Sequence, residues 1–454
     1  MPSCIGRHHS RARRDADPNG IVEEPPHSLS RHEILRHQVQ GWHGSHLSDT
    51  CSAEVQRTSC DLVTRCAKVR RGLFGAVRFD RPCKLQSSRP KNQNRMKPTA
   101  PFQSHIQALD LFCGAGGLSY GLKQAGIEVT AGLDFDPNCE FPFTANIGGT
   151  FIGCDLTIAD PKDLRRHFSN PRYSLIAGCA PCQPFSTLRN GSDRKKNTKW
   201  PLLRQFSRIV ADIQPNLVTM ENVPVLQNEE IFCEFISDLR ALGYNVTHRV
   251  IDASRYGVPQ RRKRLVLLAS SLGPIRILSP EELGVSPRTV RDAISHLPPI
   301  AAGQADASDP WHRARSLTPL NLSRIQHSKP GGTWEDWPEH LKLECHKKSS
   351  GASFKSVYGR MEWDKPSGTM TTQSYNFGTG RYGHPQQDRP ISLREMAILQ
   401  SFPDDYKFVA PDSEPEFSSV GRLIGNAVPV QLGFVIGRSI THHINDYEER
   451  IGRE

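Results

Sequence analysis

Between residues 107 and 270 the chain alternates short, nearly continuous apolar runs with segments whose apolar residues recur at helical spacing. Short apolar runs flanked by helices are what a buried parallel sheet requires, because both faces of each strand are covered. ALDLF (108–112), VTAGLDF (129–135), SLIAG (174–178), LVTM (217–220), NVTHRVI (245–251) and RLVLLA (264–269) are predicted strands. LSYGLKQAG (118–126) and PLLRQFSRIVADI (201–213) are predicted helices, with Gly126 and Pro215 punctuating their exits. The alternation implies an α/β fold on an open, doubly wound, mostly parallel sheet, assigned to residues 104–275.

After Ser270 the pattern gives way to Pro-, Gly-, Trp- and His-rich sequence as far as Arg389, which predicts a smaller, irregular second domain over 276–389. ISLREMAILQSF (391–402) and VPVQLGFVIGRSITHHI (428–444) restore helices, assigned to a segment (390–454) that returns to the first domain. Residues 1–95 lack either periodicity and carry cysteines at irregular spacing, so little fixed structure is expected there. Met96 precedes the first patterned segment, so 1–95 read as an over-extended frame or dispensable tail, with a basic arm for nucleic acid as the alternative.

Composition narrows the classes. The 454 residues are 37% apolar and 23% charged. They contain no run near the ~18 consecutive apolar residues of a membrane helix, which excludes wholesale disorder and an integral membrane protein. The net charge of +11 is uneven. Residues 1–95 hold 17 Lys and Arg against 9 Asp and Glu, leaving 41 against 38 for the rest. With no secretory leader pattern, the 12 cysteines are expected as thiols in a reducing, cytoplasmic setting. No paired C-x2-C spacing with a partner pair occurs, so no metal site is expected.

Ligands of open α/β sheets bind beyond the carboxyl ends of strands, and three predicted strands end in unusual residues. ALDLF passes into CGAGG (113–117) and a helix, a turn that suits either a nucleotide cradle or tight packing. Asp134, at the end of the next run, could accept from ribose hydroxyls or serve the FDPN turn. SLIAG runs into CAPCQPFS, placing Cys182 between Pro181 and Pro184. Thiolate is the reactive form of cysteine, and cations such as Arg262 or Arg264 would favour it. Cys179 reads as a small buried apolar residue, with a C-x-x-C redox pair as the alternative. LVTM ends in ENV, so Glu221 sits at a strand mouth as a proton-handling carboxyl or as a cap for the following turn. A nucleophilic cysteine and an acidic Glu on neighbouring strand ends describe covalent catalysis.

In this order these segments resemble the cytosine-C5 DNA methyltransferases over about residues 105–445. DLFCGAGGLSYGL is similar to the family's S-adenosylmethionine loop, which implies cofactor contacts from Asp110, Phe112, Gly114, Gly116, Gly117 and Leu118. The resemblance further implies Asp134 at the ribose, Phe135 stacked on adenine, Asp155 at the adenine amino group and Asn426 at the cofactor. Asp134 departs from the usual Glu, which shortens its reach by one methylene. GCAPCQPFS and ENV imply catalytic Cys182 and Glu221. QRRKR supplies Arg262 and Arg264, of which Arg262 would contact the cytosine, and Arg394 would organise the recognition domain.

The fold implied is a Rossmann-like class I methyltransferase with a target-recognition domain, and the reaction is methyl transfer to carbon 5 of a flipped-out cytosine in duplex DNA. Cys182 would add at carbon 6 while Glu221 holds ring N3. In 276–389, Arg288, Arg291, Arg313, Arg315, Arg324, Lys329, Arg360 and Arg381, with Trp311, Trp334, Trp337, Tyr358 and Tyr375, suit phosphate gripping and base reading, or an ordinary surface over a small core. A monomer is expected, possessing or lacking a cognate restriction endonuclease as partner. Methylation of transfer RNA and a catalytically silent DNA-binding protein are the competing readings.

Overall fold

A computed structural model describes residues 105–181, 201–348 and 353–453. The leader (1–95) and Cys182 lie outside the described residues. Seven strands form one sheet: β1 (Ile106–Leu111), β2 (Glu128–Asp134), β3 (Thr150–Gly153), β4 (Tyr173–Gly178), β5 (Leu217–Asn222), β6 (Asn245–Asp252) and β7 (Lys263–Ser270). Their order is β3-β2-β1-β4-β5-β7-β6. β1 to β5 run parallel, whereas β7 lies antiparallel between β5 and β6. The chain winds outward from β1 in one direction and from β4 in the other, so the crevice at a switch point opens between their carboxyl ends.

Among the described residues, the helices of seven or more residues are α1 (Gly117–Gln124), α2 (Glu140–Ile147), α3 (Pro201–Ile213), α4 (Glu230–Ala241), α5 (Pro319–His327), α6 (Leu393–Leu399), α7 (Phe417–Asn426) and α8 (Val430–Ile451). α3 buries Phe206, Ile209, Val210 and Ile213, the i, i+3, i+4, i+7 stripe of an amphipathic helix, against one face of the sheet together with α4. Burying each such side chain contributes about 1.5–3 kcal/mol. α8 covers the other face with Leu432, Val435, Ile436, Ile440 and Ile444. α1 and α8 approach closely because Gly121 has no side chain; a Cβ there would lie 2.4 Å from Val430 O and Phe434 N. Residues 417–451 are long and apolar enough to cross a membrane, but 78% of the apolar window is buried inside the protein, which makes it a core element.

The irregular region shares most of its core with the C-terminal helices: Val290, Ile294, Met361, Met370 and Tyr375 pack with Leu393, Met396 and Ile424. A small separate cluster holds Trp334, Trp337 and Leu341. For several residues that could have been DNA contacts or part of a small core, the core alternative holds. Arg324 is buried over the rings of Trp337 and Tyr358 and donates through Nε to Leu341 O (2.9 Å), and Arg360 is buried against the carbonyls of Ile325, Ser328 and His384. Arg288, Arg291, Arg315 and Lys329 stay exposed, Arg291 in an ion pair with Asp364.

α6 begins with a capping box in which Ser392 and Glu395 satisfy each other's backbone amides. Glu395 also receives both terminal nitrogens of Arg389 at 2.7 and 2.8 Å, and both residues are fully buried. Burial alone would raise the Glu395 carboxyl, but the hydrogen bonds and charge of Arg389 overcome it and hold the group down at about 2.

Candidate active site

Strand parity sets one side of the site. Ile106, Ala108 and Asp110 alternate toward the face covered by α1, where Ser119 Oγ donates to Asp110 Oδ2 (2.5 Å). Asp110 Oδ1 is buried without a hydrogen-bond partner. Burial raises this carboxyl to about 7, opposed by the Ser119 hydrogen bond and assisted by the charge of Asp134. Past β1, Phe112 adopts φ 70°, which few non-glycine residues do. Its amide and that of Cys113 both donate to Leu133 O, at 2.8 and 3.0 Å. Gly114 N then donates to Asp134 Oδ2 (2.9 Å), while Asp136 N donates to Asp134 Oδ1 (3.0 Å). The glycine turn after β1 and the acid after β2 are thereby locked together.

Gly116 (φ 86°) caps α1, and Gly117 must be glycine because a Cβ would lie 2.2 Å from Val428 O. Leu118 is buried beneath this turn, so its side chain supports the cradle from below. Tyr406 OH donates to Ala115 O and closes the turn's outer side. The cradle is bounded by exposed groups. Phe135 is 74% exposed at the end of β2, and Asp155, beyond β3, is also exposed, with Oδ1 accepting from Thr157 N (2.9 Å). Cys154 N donates to Asp134 O, keeping the two strand exits together. Asn426 ends α7 with its side chain exposed. A carboxylate with spare lone pairs, a free aromatic face and a glycine turn at a helix start fit a nucleoside carrying a charged tail.

The second half of the site lies across the switch point. Gly178 pairs with Met220 and Glu221 with Val266, so Cys179, Glu221 and Arg264 fall on the same face at neighbouring strand ends. Glu221 is 2% exposed. Arg264 Nε lies 2.8 Å from its Oε1, and Cys179 Sγ donates to its Oε2 (2.8 Å). Cys179 is half-buried and packs against the apolar core as expected of a small apolar residue, but its thiol also makes a polar contact that this reading did not include. Asn222 Nδ2 donates to Ala180 O (3.0 Å) and anchors the segment that leads to position 182.

Alternation also sorts QRRKR. Arg261 and Lys263 are exposed, whereas Arg262 and Arg264 turn inward. Arg262 donates to Met370 O (2.9 Å) and reaches Ala427 O and Gly425 O at 3.4 and 3.5 Å. Burial, followed by the charge of Arg264, lowers it to about 9. Arg262 thus bridges the Met370 carbonyl and the turn after α7 with its Nε buried and without a hydrogen-bond partner, and Arg264 is the arginine beside Glu221. Gln260 joins the same turn through Gln400, which donates to Ile424 O and Ala427 O. Gln400, Ser119 and Tyr406 escaped sequence reading because a buried hydroxyl or amide carries no local pattern; Cys179 had one, the C-x-x-C spacing, which pointed elsewhere.

A cleft of about 720 Å³ opens beside this cluster, lined among others by Val223, Val225, Arg261, Arg264, Thr369 and Arg381. Arg394, which is not among the residues lining this cleft, grips Asp309 through Nε (2.7 Å) and Nη2 (3.0 Å).

Comparison with known proteins identifies the family and the fold. The family model for C-5 cytosine-specific DNA methylases matches residues 106–442. Type II methylase M.HgiDII of Herpetosiphon aurantiacus is 48% identical over 345 residues, 75% of this chain and 97% of that protein. Type II methyltransferase M1.HphI of Haemophilus parahaemolyticus is 32% identical over 340 residues, covering 73% and 86%. Among solved structures, one assigned as a DNA modification methyltransferase encoded within an E. coli prophage superposes with a TM-score of 0.59 at 21% identity, covering 75% of this chain and 99% of that one.

Proposed function

The chain belongs to the C-5 cytosine-specific DNA methylase family, and on that premise we propose that Cys182 and Glu221 methylate a flipped-out cytosine through a covalent adduct at carbon 6. The protein is a DNA (cytosine-5-)-methyltransferase. The observation that supports the proposed mechanism is the buried Glu221 carboxyl, with Arg264 at one oxygen and Cys179 at the other, at the carboxyl ends of β4 and β5.

Carbon 5 of cytosine becomes nucleophilic only when the ring's aromaticity is interrupted. The thiolate of Cys182 forms a bond to carbon 6 while Glu221, in its protonated form, donates to ring N3, so the displaced electrons gather at carbon 5; the proton returns to Glu221 when the ring is restored. S-adenosylmethionine, when bound, supplies that carbon with an electrophilic methyl group. Loss of the carbon 5 proton and elimination of the Cys182 thiolate then restore the ring and free the enzyme. Asp134 and the Gly114–Gly117 turn would hold the cofactor's nucleoside, with Phe135 available to stack on its base, Asp155 to accept from its amino group and Asn426 to contact it from the end of α7. Arg264, already on Glu221, takes the base-facing role, and Arg262 shapes the turn that carries Asn426.

Swinging a nucleotide out of a duplex costs a few kcal/mol, offset here by basic residues at the cleft, Arg261 and Arg381 among them. Residues 276–389 are proposed to read the target sequence. The enzyme is proposed to act as a cytoplasmic monomer on the modification side of a restriction–modification system, a reading supported by the Type II names of its relatives. The test is transfer of a labelled methyl group from S-adenosylmethionine to duplex DNA with recovery of 5-methylcytosine. Label found only on transfer RNA would reject the DNA substrate.

A further inference from the structure

Cys179 is not among the residues that react with a cytosine, yet its thiol is hydrogen-bonded to the carboxyl that does. The geometry is built in by the sheet. Gly178 ends β4 opposite Met220, and it tolerates no side chain, because a Cβ would lie 2.4 Å from Leu111 O and 2.7 Å from the Phe206 ring. The backbone entering position 179 is therefore fixed, and the thiol that follows lies 2.8 Å from Glu221 Oε2. Arg264 Nε contacts only Oε1, at 2.8 Å, as an ion pair that leaves this oxygen without a hydrogen bond. A carboxyl tied at one oxygen still rotates about its last bond, whereas one tied at both presents a defined edge. A nearly buried carboxyl gains most from such fixing, since no water competes for it.

Resting on the catalytic role given to Glu221 above, we propose that Cys179 is a positioning residue for methyl transfer, its thiol orienting the Glu221 carboxyl for the flipped base. A thiol suits this place because it is a weak donor, strong enough to set a rotamer and weak enough to yield when the stronger hydrogen-bonding edge of a base arrives. The cysteine thus acts before and during base entry, through Glu221, and forms no bond to substrate.

The experiment compares Cys179→Ala, Cys179→Gly and Cys179→Ser with the unaltered full chain in single-turnover methyl transfer to duplex DNA, with the Kd values for DNA and S-adenosylmethionine measured in parallel. Cys179→Ala and Cys179→Gly are expected to slow the transfer step about tenfold, leaving both Kd values within about twofold, and Cys179→Ser to recover most of that loss because a hydroxyl again donates. Wild-type rates in both truncations, an equal loss in Cys179→Ser, or a loss seen only in Kd overturns the inference. Glu221→Gln separates the two levels: if it transfers methyl at the wild-type rate, the catalytic reading of Glu221 fails, whereas a slow Glu221→Gln beside an unaffected Cys179→Ala removes only the role of Cys179.

Discussion

Arg264 Nε sits 2.8 Å from Glu221 Oε1, with both side chains largely withdrawn from solvent at the mouth of β5. A lysine keeps the charge there but not the planar fork. Arg264→Lys is therefore expected to lower kcat by about tenfold or more, and Arg264→Met to remove activity, because it leaves the Glu221 charge buried without its partner. Neither change touches the Gly114–Asp134 cradle, so calorimetric titration with S-adenosylmethionine should return wild-type affinity for both.

Asp134 accepts amide hydrogen bonds on both oxygens, from Gly114 and Asp136. Asparagine has one acceptor oxygen and presents an NH2 group to one of those amides. Asp134→Asn is expected to weaken S-adenosylmethionine binding about 10- to 100-fold, the scale of a lost hydrogen bond to a charged group plus a donor left unsatisfied. Isothermal calorimetry checks this, with methyl transfer at saturating cofactor restored toward the wild-type rate.

Arg389 and Glu395 form a fully buried bidentate pair beneath α6. Removing one partner strands the other, so Arg389→Met should destabilise the fold by about 3–5 kcal/mol in denaturant titration, and replacing both residues by apolar ones should recover much of the loss. The carboxyl is held at about 2, below its ordinary value of 4.5, so the pair's contribution is present above pH 4.5 and fades as pH falls toward 2.

Asp110 works with the opposite sign. Its carboxyl is raised from 3.8 to about 7, so the native state holds a proton that the unfolded chain releases. Its contribution to stability is complete below pH 3.8 and is lost as pH rises through about 7, amounting to about 4 kcal/mol at most. Asp110→Asn, neutral at every pH, should flatten the dependence of the thermal midpoint on pH between about 4 and 7. An unchanged slope would show that Asp110 does not hold that proton.

The parallel strands were legible because apolar residues on both faces leave short continuous runs, and ALDLF, SLIAG and LVTM all fall in the sheet within two residues of their predicted ends. β3 was not, since TFIG has only four residues, none fully buried, and takes its place from pairing with β2. α7 was hidden for another reason: its sequence, FSSVGRLIGN, is rich in Ser and Gly, and it is held by close packing, with Gly425 against the Thr371–Thr372 backbone. At the site, the chemistry-bearing residues Asp134 and Glu221 could be placed from strand ends alone. Which arginine of QRRKR meets Glu221 could not, because Arg262 and Arg264 share a strand face and only the tertiary position of the α7 turn tells them apart. The aromatic and basic residues of 276–389 likewise gave no sequence signal separating core from surface.

The central claim is that a thiolate at position 182 bonds to the pyrimidine ring during methyl transfer. Duplex DNA carrying 5-fluorocytosine at the target tests it, because fluorine cannot leave as a proton does and the adduct cannot resolve. With S-adenosylmethionine present, the account predicts a denaturation-resistant protein–DNA complex, linked by mass spectrometry through Cys182 and absent in Cys182→Ala. An enzyme that methylates ordinary DNA yet forms no such complex, or one linked through another residue, would contradict it.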